Sequence, residues 1–140
     1  MAHTHTTTIT HTEDLAFEAE LQGHKIALDA DAQFGGKDRG PRPKPLMLTA
    51  LAGCTGMDVA SIVGKMRMPF DTFKVEVSGE TNDEHPIVYT RIHIKYIFTG
   101  NELDRDKIEK AVKLSREKYC GVSAMYEKFA EVTHEIVLHP

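Results

Sequence analysis

The chain has 140 residues, 41% of them hydrophobic and 27% charged. That is enough for one core and is not the composition of a disordered segment. A net charge of −4 supplies no attraction to nucleic acid or to an anionic membrane. The polar start, Met1-Ala2-His3-Thr4-His5, is no export signal, so the expected compartment is the cytoplasm, where paired cysteines are more often catalytic or sensing than structural.

In chain order, the His/Thr segment predicts an edge strand near residues 8–10. Leu15, Phe17, Ala19 and Leu21 alternate with Ala16, Glu18 and Glu20, the pattern of a half-buried strand. Gln22-Gly23 suits a tight turn into a hairpin partner at residues 24–29. Residues 35–45 carry glycines and prolines at a density that predicts a loop. Pro45 suits the first turn of a helix, expected over residues 45–68. It is apolar on nearly every side, which predicts that protein surrounds it. Asp58 and Lys65 within it argue against a membrane span.

Phe73, Val75 and Val77 mark a fourth strand, and Val88 to Phe98 alternate as the longest one. Asp104 is an N-cap candidate. Ile108, Ala111, Val112, Ser115 and Tyr119 line one face of the helix that follows, and Gly121 breaks it after Cys120. A short helix over residues 123–130 and a strand over residues 133–138 close the chain. Strands grouped in hairpins predict an α+β fold with antiparallel sheet, in a single domain, residues 1–140.

Two cysteines lie 66 positions apart, Cys54 and Cys120, with no Cys-x-x-Cys unit. They meet only if the tertiary fold brings them together. Cys54 sits more than two turns into its helix, where the macrodipole has faded. Activation then requires a cation, and the preceding loop offers Arg39 first and Arg42 second. Asp58, four residues on, opposes thiolate formation if ionised and near. Read from composition alone, both cysteines are buried inert residues. His3, His5 and His11 lack metal-ligand spacing, so no metal site is expected; one joining histidines to a cysteine ranks last. No phosphate loop, nucleophile elbow or His-Glu-x-x-His motif is present.

The segments Gly40-Pro41-Arg42-Pro43, Leu46 to Val59 around Cys54, and Lys118-Tyr119-Cys120-Gly121-Val122-Ser123 resemble the OsmC/Ohr family, the osmotically inducible and organic hydroperoxide resistance proteins. The resemblance extends over nearly the whole chain. It implies antiparallel sheets wrapped around the long apolar helix in an intertwined homodimer. It also implies a thiol peroxidase: Cys54 attacks an organic hydroperoxide, Cys120 resolves the sulfenic acid, and an external dithiol restores both, with no bound cofactor. The family's activating Arg maps to Arg39, or second to Arg42. The Glu that usually opens the helix is replaced here by Pro45. The alternative reading is therefore a ligand-binding OsmC-like dimer with weak or no peroxidase activity.

Overall fold

The computed structural model describes all 140 residues, which form two compact units, Met1–Met47 and Leu48–Pro140. In the first, β1 (Thr8–Glu13), β2 (Ala16–Leu21) and β3 (His24–Leu28) make an antiparallel meander. Gln22 and Gly23, at φ 52° and 81°, close the β2–β3 hairpin between the paired residues Leu21 and His24; positive φ at both turn positions matches the strands' own twist. Leu15 is not on the expected strand face. A register shift pairs Glu13 with Ala16, so Leu15 falls in the turn and is exposed.

The loop after β3 is organised by Asp29, which is buried. Its carboxylate accepts the N–H groups of Ala30 at 2.7 Å, Lys37 at 3.1 Å and Arg39 at 3.2 Å. Burial pushes this carboxyl up, but the three donors and the Arg39 guanidinium outweigh it and hold it below the usual aspartate value.

The second unit is built on α1 (Leu46–Lys65), β4 (Thr72–Thr81), β5 (Tyr89–Thr99), α2 (Arg105–Leu114), a five-residue π turn (Ser115–Tyr119), α3 (Gly121–Tyr126) and β6 (Glu131–His139). The sheet order is β4-β5-β6. β4 and β5 are antiparallel, whereas β5 and β6 run parallel. The all-antiparallel expectation fails there because the segment joining β5 to β6 is a helical crossover and not a hairpin.

Alternation along β5 slips once. Thr81 pairs with Tyr89 while Glu80 pairs with Arg91, leaving Thr90 as a bulge. Tyr89 thereby joins Ile92, Ile94, Tyr96 and Phe98 in the core, and Thr90 is exposed. Gly79 makes room for the displaced ring: a Cβ there would lie 2.6 Å from Tyr89 Cδ1.

On α1 the residues Leu51, Thr55, Val59 and Val63 are buried. Their spacing of four places them on one stripe. The rest of the helix is less covered than its composition predicts. Met57 is 76% exposed, and only 22% of the helix's most apolar window is buried within the chain. Its length and composition alone would suffice to cross a membrane.

Candidate active site

Cys54 and Asp58 lie one helical turn apart on α1, beside the buried stripe, and both are half-buried. Cys120 reaches them through an irregularity in the opposite helix. After α2 the chain adds one residue to the turn, and the Cys120 N–H bonds to the Ser115 carbonyl, five residues back, at 2.8 Å. An uninterrupted α-helix would continue the buried face from Ser115 to Tyr119. The π turn passes that place to Cys120, which is 3% exposed, while Tyr119 is 54% exposed. Single π turns inside helices are frequent at functional sites.

Cys120 then adopts an extended conformation, φ −80° and ψ 97°, and caps α3: its Sγ accepts the Ser123 N–H at 3.3 Å. The two Sγ atoms and an Asp58 carboxylate oxygen lie within 4.8 Å of one another. Both cysteines are free thiols. A disulfide has its sulfurs about 2.05 Å apart, so closing the pair needs a shift of less than about 3 Å.

Burial pushes the Cys120 thiol up to about 12, against the Ser123 N–H that pulls it down; Cys54 and Asp58 add to the rise. At neutral pH it is a protonated thiol. A protonated thiol is a weak nucleophile.

A hydroxyl chain runs behind the site. Ser115 donates to Asp58 Oδ2 at 2.9 Å. Its one proton is then spent, so the 2.8 Å contact with Thr55 is a donation from Thr55. The same argument makes Tyr96 the donor in its 2.7 Å contact with Thr55. The chain therefore runs Tyr96 to Thr55 to Ser115 to Asp58, with the carboxylate as terminal acceptor. Burial raises the Tyr96 phenol above its usual value, with Thr55 and Arg116 acting the other way. Thr55, Tyr96, Ser115 and the positioning role of Asp58 were not singled out from sequence. The available signal was a hydroxyl on an apolar face: Ser115 among Ile108, Ala111 and Val112, and Thr55 among Leu51 and Val59.

Arg116, within the π turn, ties that turn to its surroundings. It donates to His134 Nδ1, to Glu127 at 2.9 Å and to the Val132 carbonyl at 2.9 Å. Arginine has no acceptor, so His134 Nδ1 is the bare nitrogen and its proton sits on Nε2. Desolvation, then Arg116 and His93, lower the His134 value and keep that ring neutral.

Arg39 and Arg42 are both engaged inside the N-terminal unit. Arg39 pairs with Asp14 at 3.1 Å, Glu13 at 3.4 Å and Asp29 at 3.9 Å. Arg42 binds Asp38 at 2.7 Å and approaches Asp31 at 3.9 Å; the Asp38 hydrogen bond raises its own value further. Asp58, Ser61, Ile62, Lys65, Leu114 and Tyr119 line a cavity of about 300 Å³; Asp58 is the residue it shares with the cysteine cluster.

Residues 35–135, a span holding both cysteines, match the family model described as OsmC-like protein. Protein YhfA of Escherichia coli K12 is 37% identical over 123 residues, covering 87% of this chain and 89% of its own length. A crystal structure of a hypothetical protein from Aquifex aeolicus VF5 superposes with a TM-score of 0.82 at 27% identity, covering 99% of this chain and 100% of that one. An organic hydroperoxide resistance protein OsmC from Legionella pneumophila shares the fold, with a TM-score of 0.71 at 14% identity and 98% of both chains covered. The sequence match across both cysteine segments and the shared architecture agree with the resemblance carried by the motifs, and the chain belongs to the OsmC family.

Proposed function

We propose that the protein is a thiol peroxidase that reduces organic hydroperoxides through Cys54 and Cys120. The observation that carries this reading is the approach of the two free sulfurs to within 4.8 Å, with one half-buried and the other sealed. The Cys54 thiolate attacks the outer oxygen of ROOH and the O–O bond breaks. The alcohol leaves with a proton, and Cys54 becomes a sulfenic acid. Cys120 then attacks the Cys54 sulfur; its proton passes by way of Asp58 to the departing hydroxide, and water leaves as the disulfide forms. An external dithiol reduces that disulfide by exchange. The apolar part of the cavity beside Asp58, formed by Ile62, Leu114 and Tyr119, suits the organic group of the substrate.

To Arg39, with Arg42 second, we assign stabilisation of the Cys54 thiolate, the role the family resemblance gives it. Arg39→Lys is expected to lower kcat/KM at least tenfold and Arg42→Lys less; equal, negligible effects would remove both from the mechanism. We further propose that the protein works as a homodimer in the cytoplasm. The uncovered apolar face of α1, Met57 included, supports a second copy as its cover. A reducing compartment suits a pair that dithiols must regenerate.

The test of activity is hydroperoxide consumption with a dithiol as reductant. Turnover of a bulky organic hydroperoxide, lost in Cys54→Ser, supports the assignment. A rate no higher than that of free dithiol would leave a binding protein whose cysteines only pack.

A further inference from the structure

We propose that the reduced pair Cys54 and Cys120, together with Asp58, binds a thiophilic divalent cation of the zinc type. This goes beyond the peroxidase reading, since it uses only the reduced side chains and no oxidant. The sequence predicts no metal site and ranks one joining histidines to a cysteine last; no histidine belongs to the cluster that forms. Two thiols and a carboxylate converge instead, with their ligand atoms all within 4.8 Å of one another. Zinc bonds of about 2.3 Å to sulfur and about 2.0–2.2 Å to oxygen bring tetrahedral ligands to about 3.5–3.8 Å apart. The cluster contracts by about 1 Å to meet that geometry, which is less movement than disulfide closure needs.

The surrounding groups suit a metal site. Ser115 holds Asp58 Oδ2 at 2.9 Å and leaves the other carboxylate oxygen to turn toward the sulfurs. The Ser123 N–H already donates to Cys120 Sγ, as outer-sphere donors do at bound thiolates. Three protein ligands leave a fourth position for water, and the cavity reaching Asp58 and Tyr119 provides entry. The metal offsets the charge that forms on ionising two thiols beside a carboxylate. On binding, each thiol gives its proton to solvent and no electron moves. The disulfide has no lone thiolates to offer, so metal and disulfide exclude each other at this pair. A bound cation would hold the cysteines out of peroxide chemistry until it is removed.

The test titrates reduced, full-length protein with cobalt(II) under anaerobic conditions and reads thiolate-to-cobalt charge-transfer absorption. One equivalent per chain is expected to bind and to be displaced by zinc. Cys54→Ser and Cys120→Ser should each lose most of the charge-transfer intensity. Asp58→Asn and Ser115→Ala, each confirmed as folded by circular dichroism, should each weaken binding by about tenfold or more. A variant with His3, His5 and His11 replaced by Gln should bind as the parent does. No charge-transfer band, affinity unchanged in both Asp58→Asn and Ser115→Ala, or binding lost with the tail histidines would overturn the proposal. Because the readout is a spectrum without peroxide, a missing metal site and a missing peroxidase activity give separate results.

Discussion

Thr55→Val tests the hydroxyl chain behind the cysteines. Valine keeps the shape of threonine, and Thr55 is fully buried, so packing changes little. What is lost is polar. The Tyr96 hydroxyl, 2.7 Å from Thr55, is left in the core without an acceptor, at a cost of about 1–3 kcal/mol. The bond to Ser115 disappears too, for about 0.5–1.5 kcal/mol. Ser115 still donates to Asp58. The single variant should therefore lose about 2–4 kcal/mol, measured as a shift in urea midpoint at constant m. Tyr96→Phe removes a donor and leaves Thr55 bonded to Ser115, so it should lose only about 1 kcal/mol. In the double variant no hydroxyl is stranded, and its loss should not exceed that of Thr55→Val alone. The cycle then gives a coupling of about 1 kcal/mol or more. If the two losses add to within about 0.5 kcal/mol, the chain does not run from Tyr96 through Thr55.

Gly79→Ala places a methyl 2.6 Å from the Tyr89 ring and 3.1 Å from Leu48 Cδ2; overpacking should cost about 1–3 kcal/mol in the same denaturation assay, and Tyr89→Leu should recover part of it. Cys120 makes the fold sensitive to alkali. Its folded value lies near 12 against 9.0 for an unperturbed thiol, so above pH 9 the unfolded chain releases a proton that the folded one keeps. That contribution is complete below pH 9 and declines as pH rises toward 12. Cys120→Ala should flatten this part of the stability profile, whereas a parallel slope in variant and parent would contradict the assignment.

Much of the architecture was legible because apolar periodicity reports which face is buried. It located α1 to within a few residues at its end, both strands of the β4–β5 pair, and Asp104, whose carboxylate caps α2 by accepting the Lys107 N–H. The failures share a cause: one residue inserted or omitted in a repeat leaves no mark in composition. The bulge at Thr90 moved Tyr89 into the core, and the shift between His11 and Glu13 moved Leu15 out of its strand. The π turn exchanged Tyr119 for Cys120 on the buried face. That last slip is what brings the second cysteine near the first, and no periodicity in the sequence carries it. Sequence spacing presents Asp58 only as an opponent of the thiolate. Its distance from both sulfurs, and the hydroxyl chain ending on it, depend on α1 meeting the π turn across 57 residues of sequence.

The most direct test of the redox pair is intact mass after adding one equivalent of a bulky organic hydroperoxide to fully reduced protein. The account predicts the loss of two hydrogens per chain, with peptide mapping locating a single bond between Cys54 and Cys120, and a trapped sulfenic acid on Cys54 in the Cys120→Ser variant. An unchanged mass, or oxidation stopping at a sulfenic acid in the parent protein while Cys120 stays free, would contradict it.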